Sequence, residues 1–242
     1  MENNLLVLGA SSDLALSLLP EIAGNYKTIF AHYHRSGDKL QELSRALPDM
    51  RMVQADFSDE EETKRMMEQV AETGVNITHI LHCPSARVEY KHFRKLTWDE
   101  YTLMLHTQLR SLYYASQQFV PKMAKQKYGK IVTVLSSATV GTPPVGMNAY
   151  TTAKYSLLGF MKSLAAEYAD KNIQINAVSP SMMETKFVSG LSHLVVEKNS
   201  ADHPLGRNAS VNDVAPAIKF LLSSNSDFIT GQNLLVSGGS VI

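Results

Sequence analysis

One cysteine, Cys83, stands in 242 residues, so no disulfide can close within the chain. The fold must hold without covalent cross-links, as suits a reducing compartment. An excess of either charge is also missing: 23 lysines and arginines balance 23 aspartates and glutamates. Without a basic field a nucleic-acid partner is disfavoured. No apolar run approaches the roughly 20 residues that cross a bilayer. The chain enters an apolar run at Leu5 with no charged-then-apolar leader before it. These absences lead us to expect a cytoplasmic protein without membrane contact. His32 and His34 alternate as ligands on a strand would, but no cluster of His, Cys or carboxylates accompanies them, so no metal site is expected. Internal repeats, low-complexity segments and linkers are missing too. What remains, 44% apolar and 19% charged residues, is a globular composition, long enough for one large α/β domain or two small ones.

The most informative stretch is Ser136-Ser137-Ala138-Thr139-Val140-Gly141, followed by Asn148-Ala149-Tyr150-Thr151-Thr152-Ala153-Lys154. From Met147 to Tyr168 the apolar residues Leu157, Leu158, Met161, Leu164, Ala165 and Tyr168 recur at helical spacing. Residues four apart share a helix face, which sets Tyr150 and Lys154 one turn apart. An ammonium beside a phenol favours the phenolate and lowers its pKa from about 10. Tyr150 is thereby a candidate general acid or base near neutral pH. Upstream, Gly129 to Leu135 reads as a buried strand delivering Ser136 or Ser137 at its C-terminal end. A hydroxyl there can hold a carbonyl or alcohol oxygen against the phenol.

Near the start, Leu5-Leu6-Val7-Leu8 is the short continuous run of a strand buried on both faces. It leads through Gly9-Ala10-Ser11-Ser12-Asp13-Leu14-Ala15 into a helix, which Pro20 is expected to kink or shorten. Such a turn aims backbone N–H groups and the positive end of the helix dipole at phosphate. Gly9, Ser11, Ser12, Asp13 and Leu14 are its candidate binding residues, although the Asp13 carboxylate repels phosphate unless it caps the helix or binds ribose. A second strand, Thr28 to Ala31, ends in His32-Tyr33-His34-Arg35-Ser36. Dinucleotide folds use an acid here for the ribose hydroxyls and an arginine for a 2′-phosphate. With Arg35 and Ser36 present and no acid, NADP is favoured over NAD. Further along, Ser58 with Glu61 and Ser210 with Asp213 read as capping boxes, and Trp98 to Met123 reads as one long helix.

Taken with the strand-and-stop pattern Ile173 to Pro180, these motifs make the chain resemble the short-chain dehydrogenase/reductase family from Leu5 to Gly239. The resemblance implies one domain over residues 1–242, a doubly wound α/β fold with a mostly parallel seven-stranded sheet, and a substrate lid at about 185–205. It implies Tyr150 as the proton-transfer residue, Lys154 as the group that lowers its pKa and binds ribose, and Gln108 at the place of an asparagine that holds a proton-relay water. For the serine, counting from Gly129 selects Ser136 and counting back from Tyr150 selects Ser137; strand register favours Ser136. Asp56 is expected at the adenine amino group, with Phe57 beside the ring. Cys83, Pro84 and Ser85 lie where relatives pack an Asn-Asn-Ala-Gly stretch on the cofactor. Pro180, Met183 and Thr185 are implied at the nicotinamide.

The implied activity is hydride transfer between NADP(H) and a ketone or secondary alcohol, with a small carbonyl or acyl substrate and a homodimer or homotetramer as the assembly. Reductases of 3-oxoacyl carrier-protein substrates are one candidate, with Lys127 and Lys171 where such enzymes place basic residues for the acidic carrier. This chain also departs from the family pattern. It keeps one of three turn glycines, lacks the Asn-Asn-Ala-Gly stretch, and carries Gln108, Ser181 and Ser237 in place of asparagine, glycine and aspartate. Those departures support a rival reading as a cofactor-binding regulator or scaffold that has lost catalysis. An epimerase or dehydratase with tightly held nicotinamide is a third reading.

Overall fold

The computed structural model describes residues 2–87 and 89–241. Short apolar runs become strands and amphipathic runs become the helices between them, with two helices in a row after β4 and after β6. The strands are β1 (Asn4–Leu8), β2 (Thr28–Tyr33), β3 (Met50–Gln54), β4 (His79–His82), β5 (Gly129–Val134), β6 (Ile173–Pro180) and β7 (Asn233–Val236). The helices are α1 (Asp13–Ile22), α2 (Asp38–Ala46), α3 (Glu60–Glu72), α4 (Trp98–Leu105), α5 (Ser111–Gln126), α6 (Asn148–Tyr168), α7 (His193–Asp202) and α8 (Val211–Leu222). All seven strands pair in parallel in the order β3-β2-β1-β4-β5-β6-β7. Because side chains alternate along a strand, Leu6 and Leu8 enter a core with Phe119, Val120 and Leu157, while Leu5 and Val7 pack with Leu18, Leu19 and Ile218 on the other face. The strand order reverses between β1 and β4, which opens a crevice at their carboxyl ends.

Three local expectations change. Pro20 lies in the last turn of α1, where its missing N–H ends nothing; the helix continues to Ile22 and closes with a 3₁₀ turn at Ala23–Asn25. The cap of α3 is Asp59 rather than Ser58: its Oδ1 accepts from the Glu62 N–H at 2.8 Å. Glu62 in turn accepts the Asp56 N–H at 2.8 Å. The run from Trp98 to Met123 is two helices joined by a π turn at His106–Arg110. The Ser210–Asp213 capping box forms as expected.

Candidate active site

Helix α6 begins beside the carboxyl end of β5 and carries Tyr150 and Lys154 on one buried face with Ala153 and Leu157. The Lys154 ammonium donates to the carbonyl of Val134, the last residue of β5, at 2.8 Å. It stands 5.6 Å from the centre of the Tyr150 ring. Ser136 follows β5 and caps the 3₁₀ turn Ser137–Thr139, its Oγ accepting from the Ala138 N–H at 3.2 Å. Of the two serines, Ser136 is the one whose side chain acts on the Tyr150 phenol.

Electrostatics here run opposite to the simple pairing argument. Burial pushes the Tyr150 phenol up to about 12, and the Ser136 side chain pulls the other way. Burial also brings Lys154 down to about 8, with Cys83 acting weakly against it. The physical cause is desolvation: the phenol is only 8% exposed, and the Lys154 ammonium stands 5.6 Å from the ring centre with its hydrogen bond spent on the Val134 carbonyl. Part of that burial is the Phe187 ring, whose centre lies 5.7 Å from that of Tyr150.

Gln108 sits inside the π turn, fully buried, and neither atom of its side-chain amide has a partner among the described residues. Its main-chain carbonyl is occupied: His82 Nε2 lies 3.0 Å away and Ser111 Oγ donates at 3.0 Å. His82 ends β4, and its Nδ1 meets Thr133 Oγ1 of β5 at 3.0 Å. One imidazole therefore ties β4 to β5 and to the π turn. Burial keeps it neutral, with a pKa near 3.

The crevice between β1 and β4 gathers the nucleotide-site candidates. Gly9 takes φ 75°, and a Cβ there would stand 2.9 Å from the Pro84 nitrogen, so only glycine fits where the two strand ends cross. Ser12 caps α1 through Ala15 N–H at 3.3 Å, and Leu14 turns its side chain into the core, leaving backbone and hydroxyls of Ser11 and Ser12 at the turn. His32 braces this turn: Nδ1 accepts the Gly9 N–H at 3.1 Å and Nε2 reaches the Ala55 carbonyl at 3.0 Å. The Phe57 ring is stacked on His32 at 3.8 Å and buried, so it faces the core and not an adenine. Asp56 accepts from both Ser58 groups and lies 3.2 Å from His34 Nε2. Despite burial, those hydrogen bonds and the charges of His34 and Arg35 hold its carboxyl below the usual range. Arg35 and Ser36 are exposed at the end of β2. Cys83 and Ser85 are half-buried beside buried Pro84, and burial pushes the Cys83 thiol up to about 12, which makes it inert.

On the far wall, Pro180 ends β6, Met183 bridges to Ala209, and Thr185 N–H donates to the Met183 carbonyl at 2.9 Å. A cavity of about 970 Å³ lies between Asp13 and the segment carrying Thr185, Val188, Leu191 and Ser200.

A family model described as Enoyl-(Acyl carrier protein) reductase matches residues 23–240. The chain is 27% identical over 246 residues to 3-oxoacyl-(acyl-carrier-protein) reductase FabG of Staphylococcus aureus, covering 99% of this chain and 98% of that protein. It is 28% identical to acetoacetyl-CoA reductase of Acinetobacter sp., covering 97% and 96%. A 39% identity to FabG of Aquifex aeolicus extends over 145 residues, 60% of this chain and 56% of that one. The structure titled ElxO with NADP Bound superposes with a TM-score of 0.86 at 22% identity, covering 99% and 98%. A 3-oxoacyl-(acyl-carrier protein) reductase from Brucella melitensis superposes at 0.87 with 23% identity, covering 98% and 91%. The chain belongs to the short-chain dehydrogenase/reductase family.

As a short-chain dehydrogenase/reductase it is an oxidoreductase acting between CH–OH and C=O groups with a nicotinamide cofactor. The crevice fits that group: Gly9 holds the turn open, the first N–H groups of α1 lack intrahelical partners, and the buried Ser181 Oγ is unpartnered among the described residues. Three contacts were not legible as single motifs: the His32 brace, the His82 tie and the hydrogen bond from Lys186 N–H to Asp13 Oδ2 at 2.7 Å. His32 stood out in the sequence only as one of two alternating histidines, and no motif singled out His82. Lys127 and Lys171 precede β5 and β6, at the sheet edge opposite Tyr150, with Lys127 carbonyl accepting from Asn172 at 3.0 Å. No helix among the described residues is long and apolar enough to cross a membrane.

Proposed function

We propose that this protein is an NADPH-dependent reductase of ketone carbonyls, with 3-oxoacyl thioesters as the substrate class. The observation that carries the reading is the convergence of Tyr150, Lys154 and Ser136 at the carboxyl end of β5, beside the cofactor crevice. The bound nicotinamide supplies or accepts hydride. Ser136 holds the carbonyl oxygen, and Tyr150 gives it a proton as charge develops there. Lys154, protonated at neutral pH with its pKa near 8, is the charge that stabilises the resulting phenolate once Phe187 has left it. The orphaned amide of Gln108 is the place for a water that returns the proton. Arg35 and Ser36, exposed at the end of β2, support NADP over NAD. Residues 1–242 act as one domain whose segment 185–205 is the substrate lid. Exposed Tyr113 on α5 and Tyr155 on α6 support assembly of copies through those helices.

A fluorescence titration with NADPH and, separately, NADH tests the cofactor part, and reduction of acetoacetyl-CoA and acetoacetyl carrier protein tests the substrate part. Micromolar NADPH binding, turnover of either thioester and loss of turnover in Tyr150→Phe are the expected results. Binding without turnover of any carbonyl would instead favour the regulator reading, which the covered phenol of Tyr150 supports.

A further inference from the structure

The second glycine of the family's turn is Asp13 here, and its carboxylate does something specific. The 3₁₀ segment Lys186–Gly190 begins after Thr185, whose own side chain does not cap it. The first N–H of that segment, from Lys186, donates instead to Asp13 Oδ2 at 2.7 Å, from a residue 173 positions earlier in the chain. A helical start leaves N–H groups without partners, and Asp13 caps this one from across the crevice. The next residue, Phe187, packs with Leu191 against Met104, Ala149, Tyr150 and Ala153. Val188 and Leu191 N–H groups continue the same short ladder, to Thr185 and Val188 carbonyls.

We propose that Asp13 is a positioning residue: it latches Lys186, and so holds Phe187 over the Tyr150 phenol until phosphate arrives at the first turn of α1. Asp13 is itself the first residue of α1. A diphosphate bound at the N–H groups of that turn lies against its carboxylate, and two anions at such range repel. Phosphate oxygens also compete for the Lys186 N–H. Cofactor binding thereby weakens the latch and frees Phe187 from the phenol. By reciprocity the latch weakens phosphate binding. The inference rests on the proposed roles of the turn and of Tyr150, and it regulates that same site.

Hydrogen–deuterium exchange over residues 186–191 tests it without turnover, in wild type, Asp13→Ala and Asp13→Asn, each with and without inorganic pyrophosphate. Asp13→Asn keeps an acceptor oxygen but loses the charge; Asp13→Ala loses both. The segment is expected to exchange at least tenfold faster in Asp13→Ala than in wild type or Asp13→Asn. Pyrophosphate is expected to speed exchange in wild type and to leave Asp13→Ala unchanged. NADPH should bind both variants about tenfold more tightly, within the usual range of coupling between sites. Equal exchange in wild type and Asp13→Ala, with both folded by circular dichroism, would overturn the latch, as would wild-type exchange indifferent to pyrophosphate. A latch confirmed in a protein that reduces no carbonyl would remove the proposed activity and leave the latch standing.

Discussion

Three buried histidines make this fold sensitive to mild acid. His32, His79 and His82 are each no more than 3% exposed. Burial is the leading cause that lowers their pKa values, to about 4, about 4 and about 3. In the unfolded chain each titrates near 6.5. Between these limits the unfolded state binds more protons than the folded one, so stability is full above pH 6.5 and falls as pH falls toward 4. At pH 5 each histidine removes about 2 kcal/mol relative to pH 7.5, and the three together about 6 kcal/mol. That is a large share of the roughly 5–15 kcal/mol of a typical domain. Urea unfolding followed by far-ultraviolet circular dichroism reads it directly. With a slope of about 3 kcal/mol per molar, the midpoint is expected to drop by about 2 M between pH 7.5 and 5. His79→Gln is the control, since His79 lies in the Tyr26–Tyr128 cluster at the edge away from Tyr150. It should remove about a third of the drop. A midpoint that moves by less than about 0.5 M over this range would refute the reasoning, because the rings would then be solvated.

Gly9→Ala places a Cβ 2.9 Å from the Pro84 nitrogen at φ 75°, and a loss of about 1–3 kcal/mol in urea unfolding is expected, together with loss of NADPH binding. Asp227→Ala leaves the fully buried Lys130 ammonium with Gln174 and Ser226 as its partners among the described residues, in place of a carboxylate at 2.6 Å. It should cost about 3 kcal/mol, more than an exposed ion pair is worth, by the same unfolding assay. Arg35→Ala should raise the NADPH dissociation constant by about tenfold or more, equivalent to one charge-assisted contact. NADH binding should stay within about twofold, and equal losses for both would exclude Arg35 as a 2′-phosphate reader.

Local pattern carried the architecture and half of the site. The shared face of Tyr150 and Lys154 was legible because helix spacing alone sets it, whereas strand register proposes Ser136 over Ser137 and the structure shows it as the cap of the next turn. Gly9 was legible as a turn, though the reason no other residue fits, the approach of Pro84, is a contact between residues 75 apart. Contacts of that kind escape pattern reading. The His32 brace, the His82 tie and the Asp13 cap each join groups whose pairing exists only once the sheet is assembled. The pKa directions at Tyr150 and Lys154 escaped for the same reason, since depth of burial and not spacing decides them.

The π turn at His106–Arg110 works as a phase shifter. Met104 and Leu112, both buried, are eight residues apart; at about 100° per residue an unbroken α-helix would set them about 80° out of line. Absorbing one residue into a wider turn brings the offset to about 20°, so α4 and α5 each present an apolar stripe to its own neighbour. The extra residue also frees a carbonyl, Gln108 O, which His82 and Ser111 take up. A chain shortened by one residue here would run as a plain helix, align only one of its two stripes, and leave the His82 ring without the carbonyl that orients it.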